Sequence, residues 1–309
     1  MYTIGIDIGG TSIRAGLLDE NMVLHAFRRV PQADVLQGDA VEGLTQFIQA
    51  YIDDNLQGDA SQVAAAAIGI PGTLDKTRSI VQSAPNVRGL DGLNLPALLS
   101  AKFPFPVGIE KDVSMLYYTD ANRFGLTDEC VVACYIGTGL GNAISIGGKL
   151  HTGSHGAAGE LGHIPVYGST AACGCGNAGC VECAVGGKRL ARLQAELFPD
   201  THISDLFAEH AAHPAPDAYI RQLAVPIATE VNILDPSVLI LGGGVPSMNG
   251  FPQAYLEACV REHVRKPMPA NDLRVIFSAD DGTCGVMGAG LYARGLACGD
   301  THCKQEEFK

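Results

Sequence analysis

The first thirty residues alternate between apolar and polar in short bursts broken by glycine, and these bursts read as strands. Residues 2–8 and 13–18 flank "DIGGT", and 23–28 follow the turn "DENM", so an antiparallel meander is expected. The period then changes. Val41, Leu44, Phe47, Ile48, Tyr51 and Ile52 recur at helical spacing between Ala40 and Leu56, with acidic residues on the opposite face. "VAAAAIGI" at 63–70 is uniformly apolar and predicts a buried strand ending at Pro71-Gly72. A shorter strand in "PVGIE" leads to Asp112 and a helix running to about Phe124.

At 131–146, "VVACYIGTGLGNAISI" repeats the opening order of apolar strand, Gly/Thr loop and apolar strand, which predicts two related halves facing one another. Further on the pattern predicts helices at about 182–197, 218–234 and 252–265 and strands at 237–241 and 274–278. Pro226 lies inside the second of these helices and is expected to kink it. The small-residue segment 282–296 reads as a helix packed closely on another, and the polar tail after Gly299 as frayed.

Composition narrows the class. The chain has 309 residues, enough for two domains, and its apolar stretches fall short of the roughly 20 residues of a membrane span. The first residues enter a strand with no basic or apolar leader, which predicts a soluble, cytoplasmic protein. In a reducing compartment ten cysteines are buried thiols or metal ligands rather than a disulfide framework. A net charge of −12 argues against nucleic acid as a partner, so any bound phosphate must be held locally.

Glycine loops can do that, because a backbone without Cβ points several N–H groups at an anion. "DIGGT" alone reads equally well as a hairpin turn. "GTGLG" is neither a dinucleotide fingerprint nor a Walker loop, since a strand follows it and no lysine is present. These two loops together with "LILGGGV" at 239–245 point to a nucleoside triphosphate. Asp7, ending the first strand, suits a hydrated Mg²⁺, or is a turn aspartate bonded to its own backbone. Asp112, between a strand and a helix, reads by position as an N-cap; in a kinase acting on an alcohol it is the carboxylate that accepts the hydroxyl proton.

Cys173, Cys175 and Cys180 crowd a glycine-rich knuckle, and His163, ten residues earlier, can complete a Cys3His set for structural zinc, the alternative being a cluster of buried free thiols. Cys183 is the rival fourth ligand. Zinc on one ring nitrogen of His163 would leave the other to face a hydroxyl, and Glu160 and Glu182 beside it suit the vicinal hydroxyls of a sugar.

Taken in order, "DIGGTSIRAGLLD", "GIPGTLD", "GTGLGNAI", "GELGH", "CGCGNAGCVE" and "LILGGGV" resemble the ROK family of sugar kinases and repressors, over about residues 2–295. The resemblance implies an α/β protein with the two-domain actin-like ATPase (ribonuclease H-like) fold and a cleft between domains. The expected small domain is 1–112, joined by the C-terminal helix near 285–298, and the large one is 113–284, with the zinc knuckle. It implies Asp112 as catalytic base. Asn86, Glu160, His163 and Glu182 would contact the sugar, with Gly72 and Lys111 alongside. His163, Cys173, Cys175 and Cys180 would bind zinc. Gly9, Gly10, Thr11, Gly137, Thr138, Gly139 and Gly141 would hold the phosphates of Mg·ATP with Asp7, and Gly242, Gly243 and Gly244 would lie near adenosine. A homodimer is also a family expectation.

One stretch departs from the family. Where glucose-phosphorylating members carry Asn-Asp in "ENDAN", this chain has "EKDVS", so Lys111 replaces an asparagine expected at a sugar hydroxyl. Lysine donates but does not accept, which puts glucose in doubt. With "GAAGELGHIP" and "VRKPMP", the chain looks most like the D-allose kinase branch. Glucokinase and N-acetylhexosamine or N-acetylmannosamine kinase are the alternatives. A repressor would need a helix-turn-helix ahead of the first glycine loop, which here begins at Gly9, and a sugar sensor without catalysis would not need Asp112.

Overall fold

In the computed structural model, which describes residues 1–299, the opening meander forms as its alternation requires; the tail after Gly299 lies outside the described residues. β1 (Tyr2–Ile8), β2 (Ser12–Leu18) and β3 (Leu24–Pro31) pair antiparallel. After the single turn α1 (Gln32–Val35), α2 (Ala40–Leu56) starts where Asp39 accepts from the N–H groups of Val41 and Glu42. It stops at Gln57, whose φ of 55° is left-handed.

β4 (Val63–Ile70) lies parallel to β1. A small hairpin of β5 (Thr73–Leu74) and β6 (Val81–Ser83), then α3 (Leu95–Ser100), lead to β7 (Val107–Lys111), and α4 (Asp112–Phe124) follows directly. The sheet order is β3-β2-β1-β4-β7. Leu44, Ile48 and Ile52 of α2 cover the isoleucine side of this sheet, where Ile4, Ile6, Ile8, Ile68 and Ile109 are fully buried.

The second half repeats this plan. β8 (Val131–Ile136), β9 (Leu140–Ile146) and β10 (Lys149–Leu150) form the antiparallel part. Between them and the parallel strands come α5 (Glu182–Val185), α6 (Gly187–Leu197), α7 (Leu206–Glu209) and α8 (Pro214–Leu234). β11 (Val238–Gly242), α9 (Gln253–His263) and β12 (Arg274–Phe277) complete it, in the order β10-β9-β8-β11-β12. Its core holds Leu223, Ile227 and Val231 of α8 with Val132, Leu239 and Leu241 of the sheet.

The last helix, α10 (Cys284–Ala297), belongs to the first half. Ala65 and Ala67 of β4 meet Met115 of α4 and Ala289 and Ala293 of α10, and these small side chains let both helices lie close to the sheet. The backbone of Met115 occupies the place where a side chain on Gly288 would be, and Val286 O the corresponding place at Gly5.

The described residues divide into two compact units: 1–127 with 152–158 and 281–299, and 128–151 with 159–280. This corrects the boundary expected after residue 112. α4 stays with the first unit because α10 packs along it, with Thr119 Oγ1 donating to Cys284 O. The short segment 152–158 also joins the first unit, which no sequence pattern announced.

Two helix expectations change as well. The helix expected over 182–197 is two, broken at Gly186, whose ψ of 164° is extended. The helix through Pro226 begins earlier, at Pro214, and runs on to Leu234. Pro226 is buried on its packed face, so burial offsets the one lost backbone bond. Among the described residues no helix is long and apolar enough to cross a membrane.

Candidate active site

In the first unit, parallel pairing places Asp7 opposite Gly69 and Gly69 opposite Glu110. Asp112, one step past the end of β7, and Asp7, at the end of β1, therefore flank a residue with no side chain. A Cβ on Gly69 would lie 3.6 Å from the Asp112 Cα and 3.7 Å from Asp7 Oδ1.

Asp112 is not the N-cap that its position suggested. Lys111 takes that place, and Asp112 is the first helical residue, its Oδ1 accepting from Val113 N at 2.9 Å. Asp7 is buried and its Oδ2 accepts from Arg14 Nη1 at 2.7 Å. Arg14 stands directly opposite Asp7 in the hairpin, so their positions on either side of "GG" carried a signal that the sequence reading passed over.

The first glycine loop closes with Gly9 N donating to Ser12 O, and Gln32 Nε2 donates to both Gly9 O and Asn86 O. Asn86 is thereby brought beside the loop, its Cβ 3.7 Å from where one would stand on Gly10. Thr11 O accepts from Gln32 N. Gly72 is explained by packing: the Ser83 carbonyl of the β5–β6 hairpin fills the space of its missing side chain.

In the second unit the loop after β8 rests on the start of α6. Gly187 N donates to Gly137 O at 2.8 Å and Lys188 N to Thr138 O at 3.0 Å, which is why the helix is interrupted there. Gly139 has no Cβ because Glu182 Oε2 occupies that space, and Gly141, the second residue of β9, lies opposite Tyr135. The Gly137–Gly141 loop and the Glu182 carboxylate are thus adjacent.

Gly243, at φ 94°, abuts the backbone of Ile136, and Val245 N donates to Ile136 O, so the third glycine run borders the second loop. Gly242 packs on Tyr135, and nothing crowds Gly244. Just beyond, at the ends of β11 and β12, is a cavity of about 520 Å³ lined by Met248, Phe251, Phe277, Ser278 and Asp280 among others.

His163, Cys173, Cys175 and Cys180 present ligand atoms that all lie within 4.8 Å of one another. Cys175 Sγ to Cys180 Sγ and Cys173 Sγ to His163 Nδ1 are each 3.6 Å, close to the edge of about 3.7 Å for a zinc tetrahedron with its usual bond lengths. The donor set therefore fits zinc. Cys183 is outside it, its thiol directed to Ala172 O.

The His163 ring turns Nδ1 to the cysteines, and its Nε2 lies 3.7 Å from Glu160 Oε2. Glu182 Oε1 accepts from the Cys173 thiol at 3.3 Å. Burial, then that carboxylate, raises the Cys173 thiol above its ordinary value, whereas the N–H of Asn177 lowers Cys175.

Sequence reasoning missed Glu230 of α8, which accepts from Asn142 Nδ2 at 2.8 Å beneath β8 and β9. It also missed Arg78, which pairs with Glu110. Both pairs join residues far apart in the chain, and neither had a local signature.

Two α/β units with the same sheet order, each opening on an antiparallel strand pair closed by a Gly/Thr loop, define the actin-like ATPase fold. The chain belongs to the ROK family, whose model it matches over residues 3–295. It is similar to a glucokinase of Streptomyces coelicolor, 32% identical over 79% of this chain and 82% of that one. It is also similar to an N-acetylmannosamine kinase of Vibrio cholerae, 28% identical over 83% and 87%. Among solved structures it matches a ROK family glucokinase from Streptomyces griseus in complex with glucose and AMPPNP, with a TM-score of 0.76, 28% identity, and coverage of 95% and 99%.

Proposed function

We propose that this protein is an ATP-dependent hexose kinase that phosphorylates the C6 hydroxyl, with D-allose as its preferred sugar. The coarser part, a hexose or hexosamine kinase of the ROK family, rests on family membership and on relatives that are named sugar kinases. The single observation that carries the chemistry is Asp112, at the end of β7 and opening α4, beside Gly69 and the end of β1.

Asp112 accepts the proton of the attacking hydroxyl as its oxygen bonds to phosphorus. Glu160, the Nε2 edge of His163, Glu182 and Asn86 hold the sugar hydroxyls. The Gly9–Thr11 and Gly137–Gly141 loops hold phosphate oxygens through N–H groups not spent within them, since Gly9 N is bonded to Ser12 O and Gly137 N to Gly139 O, and the aromatic and Met side chains of the cavity beyond Gly244 suit a purine. Bound Mg²⁺ would supply positive charge on the phosphates, with Asp7 as its carboxylate. Zinc on the cysteine knuckle would fix the tautomer of His163.

Allose is favoured over glucose by Lys111, which is buried with Nζ 3.4 Å from Ala158 O and offers no acceptor where an asparagine would offer one. The names of the relatives favour glucose or N-acetylmannosamine as the second reading. A coupled ADP-release assay with Mg·ATP across D-allose, D-glucose, D-mannose, N-acetylmannosamine and N-acetylglucosamine decides. Highest kcat/KM on allose is expected. Another sugar leading would remove the allose assignment, and tight sugar binding with no turnover would make the protein a sensor.

A further inference from the structure

Arg78 lies in the turn between β5 and β6 with φ at 55°, a left-handed conformation uncommon for a residue with a side chain. Asp75 keeps the backbone there by accepting from the N–H groups of Thr77, Ser79 and Ile80. The conformation accompanies an inward side chain, 11% exposed. Its Nε donates to Glu110 Oε2 at 2.9 Å, and its Nη1 to Gly156 O at 3.0 Å and Asp75 O at 3.2 Å.

Glu110 is the residue before Lys111, and its second oxygen accepts from Lys111 N at 2.8 Å. Lys111 Nζ in turn reaches Ala158 O. A guanidinium and an ammonium thus hold two carbonyls, two residues apart, on the segment 152–158. Gly156, at φ 83°, is pressed onto the backbone of Leu74 and Asp75, which fills the space of its missing side chain. From Ala158 the chain continues through Gly159 to Glu160; from Lys111 it continues to Asp112.

We infer that Arg78 is a positioning residue for sugar binding: its guanidinium ties the β5–β6 turn, the strand end bearing Lys111 and Asp112, and the segment leading into Glu160 into one frame. The inference rests on the kinase reading above. A buried ion pair is weak evidence for stability, since well-packed apolar side chains often serve as well. What they cannot do is donate to Gly156 O while pairing with Glu110, and only the fork of arginine has donors spaced for both at once.

Arg78→Lys keeps the charge and removes the fork. In ligand-free protein, amide exchange across residues 152–160 is expected to quicken about tenfold. In the ADP-release assay the sugar KM is expected to rise about tenfold, while kcat and the KM for ATP move less than about threefold. Arg78→Met should show both effects more strongly. Exchange and sugar KM both within about twofold of wild type would overturn the inference, as would a loosened segment with unchanged sugar KM. If Arg78→Lys does not fold, Glu110→Gln, which keeps the acceptor for Lys111 N, is read by the same two measurements with the same expected and overturning results. Absence of sugar-dependent ADP release from wild type would instead bring down the kinase reading, leaving the frame to stand or fall on the exchange measurement alone.

Discussion

A side-chain carbon on Gly285, in the first turn of α10, would stand 2.7 Å from the Cγ of Asp7, closer than packed atoms tolerate. The helix therefore approaches the end of β1 so closely that only glycine fits, and Asp7 is held between that backbone and Arg14.

Gly285→Ala tests this closeness. Alanine would favour the helix by up to about 1 kcal/mol, but overpacking typically costs about 1–3 kcal/mol and should win. Urea unfolding should show a net loss of stability, and the KM for Mg·ATP should rise as Asp7 is displaced. Unchanged values in both would mean that α10 does not constrain Asp7.

Asp112→Asn removes the proton acceptor with little change of shape. Turnover should fall by about 10²–10⁴, the usual worth of a positioned base, while calorimetry finds sugar and ATP binding nearly intact. Near-normal turnover would take the general-base role away from this residue.

Metal analysis should find about one zinc per chain, bound by the four clustered donors. Cys175→Ala should lose the metal and lower both melting temperature and sugar affinity. Cys183→Ala should keep it, since that thiol points to Ala172 O. Fully active, metal-free wild-type protein would refute the link between knuckle and sugar.

Lys111→Asn restores an acceptor at the end of β7. The kcat/KM profile across hexose epimers should shift toward glucose, and Nζ of Lys111 would release Ala158 O. An unchanged profile would mean that Lys111 does not select the sugar.

Burial holds the Glu230 carboxyl up at about 7, against an ordinary 4.5. Between these pH values the unfolded chain has lost the proton while the folded chain keeps it, so this group lowers stability as pH rises through the window and then levels off. The full effect is at most about 3 kcal/mol. Glu230→Gln keeps an acceptor for Asn142, and its stability relative to wild type should improve between pH 4.5 and pH 8. A difference that is the same at both pH values would show that Glu230 does not titrate in this window.

The sequence by itself determined most of the larger elements. Strict alternation around "DIGGT" and the helical recurrence from Val41 to Ile52 are local patterns, and β1, β2 and α2 follow them closely. The strand–loop–strand repeat at 131–146 predicted a second, related half, and β8 and β9 pair antiparallel there as β1 and β2 do. The spacing of Cys173, Cys175 and Cys180 on a glycine knuckle likewise needs little beyond its own turn, apart from His163.

Tertiary structure decided whatever depends on residues distant in the chain. Whether Asp112 caps a helix or opens it, whether Gly186 breaks one, and which unit takes α4 were settled by Lys111, by the carbonyls of Gly137 and Thr138, and by α10. Arg78 with Glu110, and Asn142 with Glu230, meet across separations of 32 and 88 residues. No periodicity encodes such pairs. They exist because buried charges and amides must find partners wherever the packed chain places them.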